Sequence, residues 1–169
     1  VGLREFFSSR VIYRSDIEQC STAPVIGEIN YNKQKGFVAI SHGNRSVVAE
    51  QFRRLRNALN AALKSRPIKK ILVTSNIPGE GKSYVTANLG LAFAVSGKKT
   101  LIVEMDLVNP SISKRLGIEV EYGLSNFLRD EKELSEIITT TDVDNNLFLI
   151  PSGPLPDKPS ELLTIEKHV

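Results

Sequence analysis

The feature that most constrains this chain is a glycine-rich loop over residues 75–83, which reads Ser-Asn-Ile-Pro-Gly-Glu-Gly-Lys-Ser. It follows the apolar, β-branched run Ile71–Thr74, which predicts a short buried strand of a parallel sheet. A helical pattern begins at Lys82, directly after the loop. Strand, glycine-rich loop and helix in this order predict a P-loop, in which backbone N–H groups at the start of a helix face phosphate oxygens.

The residue types in the loop suit the binding of ATP together with magnesium. Gly79 and Gly81 permit backbone angles and a close approach that side chains would block. Lys82 supplies a compact cation for the β- and γ-phosphates, and the Ser83 hydroxyl is placed to bind Mg²⁺. Asn76 stands where the strict pattern G-x-x-x-x-G-K-[ST] has its first glycine, so an ordinary strand-to-helix turn is the alternative. The Gly-Lys-Ser junction between a strand and a helix disfavours that alternative.

Elsewhere, hydrophobic periodicity predicts helices and strands in alternation, which indicates an α/β fold of the P-loop NTPase type with a parallel sheet flanked by helices. The predicted helices cover residues 3–7, 47–63, 82 to Gly97 as the C-cap, 124–129, 134–139 and the segment from Ser160 onward. The predicted strands cover residues 71–74, 100–105 and 147–150. Residues 151–159 contain four prolines and are predicted to form a loop.

Composition fits one globular domain, because 41% of the 169 residues are hydrophobic and 24% are charged. The net charge of +3 suits a phosphate ligand or an anionic membrane surface and does not indicate nucleic acid. The single cysteine allows no internal disulfide, and no apolar run reaches the length of a membrane span. We expect a soluble, cytoplasmic fragment in which residues 1–46 form a lead-in segment and residues 47–169 form the folded part.

Two carboxylates lie at the carboxyl end of the second predicted strand: Glu104 within its last residues and Asp106 just after it. Ligands of open α/β sheets bind at the carboxyl ends of the strands, so Asp106, and with it Glu104, can approach a metal held by Ser83. The alternative is that these carboxylates cap a helix or a turn before Asn109. On the helix over 47–63, three charged residues flank the apolar stripe at spacings of three: Glu50, Arg53 and Arg56. From the residues alone, a solvated helix face is favoured over a self-association surface.

Together these motifs resemble the bacterial tyrosine kinases (BY-kinases) of capsule and exopolysaccharide assembly. Residues 75–83 are similar to their Walker A loop, which often lacks the first glycine, and residues 101–107 are similar to their second acidic motif, Walker A′. The helix over 47–63 fits their E-x-x-R-x-x-R motif, which mediates oligomerisation. Residues 154–163 resemble their Pro-Pro-Asn-Pro-x-Glu-Leu-Leu loop, and residues 3–27 resemble the segment after the second transmembrane helix of the membrane-anchored forms.

The resemblance implies an ATP- and Mg²⁺-dependent protein-tyrosine autokinase that regulates exopolysaccharide or capsule assembly and export. It implies a ring-type homo-oligomer at the cytoplasmic face of the bacterial inner membrane, beside membrane-anchored export machinery. The acceptor would be the tyrosine-rich tail of a neighbouring subunit, and no nucleic acid is expected.

The same resemblance assigns the site residues. The expected catalytic residues are Lys82, Glu104 and Asp106, and the expected metal ligands are Ser83, Glu104 and Asp106. The residues expected to mediate oligomerisation are Glu50, Arg53 and Arg56. The residues expected to bind the nucleotide are Ser75, Asn76, Pro78, Gly79, Glu80, Gly81, Lys82, Ser83 and Tyr84.

The chain departs from the family pattern at Glu104, which replaces an Asp, and at Val108, which replaces an Arg. The family's Walker B strand and tyrosine-rich tail would lie beyond Val169, so we expect residues 1–169 alone to bind nucleotide weakly and to lack autokinase activity. Two other functions stay open. One is a P-loop ATPase of the partition and cell-division type, although the additional early lysine of those loops is missing from 75–77. The other is a non-catalytic, nucleotide-sensing, oligomerising regulator of polysaccharide export.

Overall fold

The computed structural model describes residues 13–32 and 36–164. Its elements, in chain order, are α1 (Arg14–Cys20), α2 (Val47–Ala62), α3 (Lys82–Ala94), β1 (Thr100–Val103), α4 (Ile112–Arg115), α5 (Leu124–Leu128), α6 (Leu134–Ile137), β2 (Thr139–Thr140), β3 (Leu147–Ile150) and α7 (Pro159–Leu162). The predicted helix over 3–7 lies outside the described residues. Helices α1 and α4 are additions to the prediction. None of the helices in the described ranges is long and apolar enough to cross a membrane.

Helix α2 confirms the prediction for residues 47–63. The Ser46 side chain caps its first turn by accepting a hydrogen bond from the Ala49 N–H, as expected of a serine at this position. The apolar stripe turns inward, where Val48, Ala49 and Phe52 are buried. The amphipathic pattern in the sequence is therefore the face that packs on the rest of the fold.

Helix α3 is the central helix and follows the P-loop as predicted. All eight residues from 87 to 94 are buried, so every side of this part of the helix is covered. Its end is closed as predicted at Gly97, which adopts a φ of 82°. The Gly97 N–H bonds to the Ala94 carbonyl at 2.8 Å and the Lys98 N–H to the Phe93 carbonyl at 3.2 Å, the pattern of a Schellman motif.

The sheet has three strands in the order β1–β3–β2. Strands β1 and β3 are parallel, with Thr100 opposite Leu147 and Val103 opposite Ile150. The parallel pairing of β1 with β3 confirms the predicted parallel sheet, and β2, a strand that was not predicted, runs antiparallel to β3. Only a short turn connects β2 to β3, and so short a connection reverses the chain direction, whereas parallel neighbours need a long crossover.

The prediction of a strand over residues 71–74 is wrong. In the part of the chain that the structure describes, this segment pairs with none of the three strands. Leu72 is 82% exposed and Ile71 is also exposed. A strand requires backbone partners as well as β-branched side chains. Since β1 bonds to β3 and not to residues 71–74, the segment stays an extended lead into the P-loop.

Two apolar clusters form the interior. The larger joins α2, α3, β1 and β3, and it includes Ala39 and Ile40 from the chain before α2. The smaller consists of Leu107, Leu124, Ile137, Ile150 and Leu162. The division at residues 46 and 47 stays a prediction, and residues 39 and 40 pack with the main cluster.

Asn88 on α3 connects the chain before α2 to the helix that follows the P-loop. Its side chain is buried, accepts a hydrogen bond from the Ala39 N–H at 2.6 Å and donates to the Phe37 carbonyl at 2.8 Å. It also donates to the Tyr84 carbonyl, one turn earlier on α3, at 2.9 Å. One amide therefore satisfies backbone groups in two segments that lie far apart in sequence.

We expect Asn88→Ala to lower the free energy of unfolding by about 2–4 kcal/mol, because it leaves the buried Ala39 N–H and the Phe37 carbonyl without their partner. Urea denaturation of the 169-residue chain measures this loss. The matched control is Asn57→Ala on α2, whose side chain accepts only exposed hydrogen bonds from Arg56 and should change stability by less than about 0.5 kcal/mol. Equal losses in the two variants would contradict the assigned role of Asn88.

Candidate functional site

The P-loop has an open concave side formed by glycines. Gly79 and Gly81 adopt φ values of 88° and 97°, which strain any residue with a side chain. A Cβ atom built at either position meets no atom within 4 Å, so space lies directly beside the backbone. Helix α3 begins at Lys82 with no side chain capping its first turn. The positive end of this helix is therefore available to an anion.

Hydrogen bonds within the loop fix its first half. The Glu80 carboxylate accepts from the Asn76 N–H at 3.0 Å and from the Ile77 N–H at 3.2 Å. The Ser75 hydroxyl donates to the Ile77 carbonyl at 3.0 Å. Glu80 thus holds residues 75–77 in place, at the point where Asn76 replaces the first glycine of the strict motif.

Lys82 and Ser83 stand at the junction of loop and helix, and both are half-buried. The Lys82 ammonium makes no hydrogen bond or ion pair with the residues in the described ranges. The Ser83 hydroxyl lies 2.8 Å from the Ser111 hydroxyl, which donates to it. The cation of the loop is thus available for an external anion, whereas the hydroxyl has a neighbour in the chain.

Tyr84 packs on the side of the loop that faces the chain before α2. Its ring meets those of Phe37 and Phe52 edge to face, with centroids 6.1 and 5.8 Å apart. Its hydroxyl accepts from the Asn32 amide at 3.0 Å, and burial raises the pKa of Tyr84. These contacts make Tyr84 part of the support beneath the loop.

A cleft of about 670 Å³ opens between this supporting segment and the P-loop. The Arg115 guanidinium lies at its edge, 5.1 Å from the centre of the Phe37 ring. The cleft is lined by Ile29, Asn30, Tyr31, Asn32, Gly36, Phe37, Gly79, Glu80, Gly81, Tyr84, Val85 and Arg115. The loop glycines are therefore reachable from solvent on this side.

The two acidic residues after β1 have different surroundings. Glu104 is only 3% exposed. One of its oxygens accepts from the Ser111 and Ile112 N–H groups, both at 2.6 Å. The other accepts from the Ser113 hydroxyl at 2.8 Å and, weakly, from the Ser113 N–H at 3.4 Å. The carboxylate is committed to the start of α4.

Asp106 is exposed and makes one local contact, accepting a hydrogen bond from the Asn109 N–H at 2.9 Å. This bond closes a turn and leaves acceptor capacity on the carboxylate. In the ranges that the structure describes, no three side chains of His, Cys, Asp or Glu form a metal-binding group. A divalent ion here would therefore depend on Ser83, Asp106 and oxygens of its ligand, as Mg²⁺ commonly does. The catalytic and metal roles stay predictions.

Comparison with known proteins identifies the kind of loop and the family. A family model described as "ParA: NUBPL iron-transfer P-loop NTPase" matches residues 67–143. The tyrosine-protein kinase YwqD of Bacillus subtilis (strain 168) is 33% identical over 131 residues, which are 78% of this chain and 54% of that protein. The solved structure of the chimerical protein CapA2B2 is 30% identical with a TM-score of 0.74, covering 90% of this chain and 66% of that one.

The chain belongs to the bacterial tyrosine-protein kinase family. The solved BceF tyrosine kinase domain is also similar, at 26% identity and a TM-score of 0.79, and again 90% of this chain and 66% of the other are covered. The chain spans about half the length of YwqD. The α/β fold of the P-loop NTPase type is thus established together with the family.

The E-x-x-R-x-x-R residues on α2, which the tyrosine kinase resemblance associates with oligomerisation, contact their own chain in the structure. Arg53 pairs with Glu50 at 3.1 Å and donates to the Asn44 carbonyl. Arg56 donates to the Ala92 carbonyl of α3 at 2.9 Å. Both arginines thus hold α2 in place, and Glu50 is the most exposed of the three. Their part in self-association stays a prediction.

The sequence patterns do not mark Ser111 and Ser113 as functional residues. Both belong to the start of α4, a helix of four residues that is too short to show a hydrophobic period. Asn88 was missed because a polar residue inside an apolar helix does not reveal which backbone groups it will meet. The position of Ser111 directly after the turn signal Asn109-Pro110 was the one available signal.

We expect Glu104→Ala and Asp106→Ala to differ sharply in stability. Loss of the Glu104 carboxylate leaves buried N–H groups of α4 without a partner and should cost about 2–5 kcal/mol. Asp106→Ala removes one exposed hydrogen bond and should cost less than about 1 kcal/mol. Guanidinium denaturation of the two variants beside the unmodified chain measures both values. If Asp106→Ala were as damaging as Glu104→Ala, the contrast between the two carboxylates would be wrong.

Proposed function

We propose that this chain is the nucleotide-binding part of an ATP-dependent protein-tyrosine kinase. The observation that carries the proposal is the geometry of the P-loop. Lys82, which has no partner in the described ranges, stands beside an open glycine loop. The chain also belongs to the tyrosine kinase family. An open loop backbone, a helix N-terminus and an available ammonium are what a polyphosphate requires. The donor types at Ser83 and Asp106 fit Mg²⁺, which binds hydroxyl and carboxylate oxygens.

Phosphoryl transfer depends mainly on positioning and on neutralising charge. Lys82 and the N–H groups of the loop would hold the β- and γ-phosphates, and Ser83 and Asp106 would hold the metal. When bound there, Mg²⁺ would supply charge neutralisation at the phosphate oxygens. Asp106 has acceptor capacity for the metal or for the proton of the acceptor tyrosine, whereas the acceptor directions of Glu104 are used within the chain.

The setting of this activity belongs to the same proposal, because the chain spans about half of YwqD. We propose a ring-type homo-oligomer at the cytoplasmic face of the bacterial inner membrane, working with membrane-anchored polysaccharide export machinery. The acceptor would be the tyrosine-rich tail of a neighbouring subunit. Residues 1–46 would link the nucleotide-binding part to the membrane side.

A second candidate is a P-loop ATPase that switches its association by hydrolysis, since residues 67–143 match the ParA-type family model. It predicts ATP turnover without phosphotyrosine. A non-catalytic nucleotide sensor would instead bind nucleotide with neither turnover nor phosphotyrosine, and the commitment of Glu104 to α4 favours it over hydrolysis. Measuring nucleotide binding, ATP turnover and phosphotyrosine on the same protein therefore separates the kinase, the ATPase and the nucleotide sensor.

We expect Lys82→Met to abolish phosphotyrosine formation in the native gene product that contains this chain, and to weaken ATP binding at least tenfold, because the cation facing the phosphates is lost. Immunoblotting with an antibody to phosphotyrosine and calorimetric titration with ATP measure the two effects. Lys98→Met, in the turn after α3, is the matched control and should leave both unchanged. An undiminished phosphotyrosine signal in Lys82→Met would refute the kinase assignment.

Self-association can be tested at Glu50, whose carboxylate is the exposed member of the α2 set. We expect Glu50→Arg to lower the sedimentation coefficient of the assembled native gene product, because it replaces an attractive charge for a neighbour's arginines by a repulsive one. Glu119→Arg, at an exposed position after α4, is the control of equal charge change. If both variants sediment like the parent protein, α2 does not carry the subunit contact.

A further inference from the structure

We propose that Ser111 is a positioning residue for the metal-binding hydroxyl of Ser83, and that buried Glu104 holds Ser111 in place. The inference rests on the proposed function, in which Ser83 binds the magnesium of a bound nucleotide. It gives Glu104 a role different from the ligand or catalytic role predicted for it, and it assigns a role to Ser111, which the sequence motifs do not mark.

The contact between the two serines connects separate parts of the fold. Ser83 is the second residue of α3, and Ser111 directly precedes α4. Their hydroxyl oxygens are 2.8 Å apart, a normal hydrogen-bond distance for two hydroxyls. Both side chains are half-buried, so the pair is partly shielded from water.

Glu104 fixes Ser111 from the other side. Its first oxygen accepts from the N–H groups of Ser111 and Ile112, and its second accepts from the hydroxyl and N–H of Ser113. An ionised carboxylate offers about four acceptor directions, and all four are used here. Binding a metal through Glu104 would require breaking these bonds at a buried site. The carboxylate therefore acts as a brace that sets the backbone position of Ser111.

The hydroxyl pair suits a serine that binds a cation. A cation on the Ser83 oxygen withdraws electron density, which makes that hydroxyl the stronger donor of the pair. Either hydroxyl hydrogen can rotate, so Ser111 can accept from Ser83 when the metal is bound. The bond to Ser111 restrains the Ser83 rotamer and would leave a lone pair of the Ser83 oxygen available to the metal. Without Ser111, Ser83 must adopt that rotamer unaided.

This arrangement predicts an effect that depends on magnesium. Ser111 lies beside Ser83 and not in the glycine loop, so its loss should leave the metal-free affinity for nucleotide unchanged. The measurable quantity is the magnesium gain, the ratio of the Kd for ADP in EDTA to the Kd in saturating Mg²⁺. The loss of one hydrogen bond corresponds to a decrease of about threefold to tenfold in this gain.

Calorimetric titration of the 169-residue chain with ADP, with Mg²⁺ and with EDTA, tests the inference. Ser111→Ala should lower the magnesium gain about threefold to tenfold at an unchanged Kd in EDTA. Ser111→Thr keeps the hydroxyl and should restore the gain. Ser96→Ala, just past the far end of α3, is the control and should leave the gain unchanged, because it removes a serine hydroxyl bonded to the Phe93 carbonyl and touches neither Glu104 nor Ser83. In a Ser83→Ala background, Ser111→Ala should have no further effect.

The outcomes distinguish this inference from the proposed function. If the unmodified chain shows no magnesium gain, the metal role of Ser83 fails and the inference fails with it. If the chain shows a gain that Ser111→Ala retains in full, the proposed function stands and the inference is overturned. A loss of affinity in EDTA as well, a failure of Ser111→Thr to restore the gain, or an effect of Ser111→Ala that persists without the Ser83 hydroxyl would each overturn it.

Discussion

The hydrogen bonds of the Glu104 carboxylate connect the sheet to the site. Glu104 follows β1 directly, its N–H bonds to the Ile150 carbonyl at the end of β3, and its side chain holds the start of α4. Burying a carboxylate is costly unless donors satisfy it, and here two backbone N–H groups and a hydroxyl do so at short distances. Through Ser111 the same group reaches the second residue of α3. The end of one strand thereby sets the position of two helices around the phosphate loop.

The loop also depends on the burial of α3. A helix covered on all sides over residues 87–94 cannot shift without disturbing the main core, so its N-terminus is held in place. Asn88 and Tyr84 extend this support to the chain before α2, through backbone hydrogen bonds and edge-to-face ring contacts. The loop glycines lie on a rigid base even though they themselves face open space. Such pre-organisation is what transfer of a phosphoryl group requires.

What the sequence could predict was decided by the range of the interactions. Local patterns were sufficient for α2, for α3 with its closing Gly97, and for β3, because period, caps and glycines determine these elements. The segment 71–74 was predicted as a strand from its own residues, but strand pairing depends on a neighbour that the pattern does not specify. The same limit applies to Glu104. The sequence shows that the Glu104 side chain is longer than the Asp of the family motif. It does not show which N–H groups at the start of α4 that side chain meets. The open loop around Lys82 followed from the motif, but the partner of Ser83 did not.

The central proposal is that this member of the tyrosine kinase family would hold the phosphates of a magnesium nucleotide between the glycine loop and the acidic turn after β1. Amide chemical shifts of the ¹⁵N-labelled chain, followed during titration with Mg·ADP, test this claim most directly. The predicted result is that the largest changes fall on residues 79–84, with a second group at residues 106–111. Changes confined to the segment 29–32, or spread evenly without a maximum at the glycine loop, would contradict it.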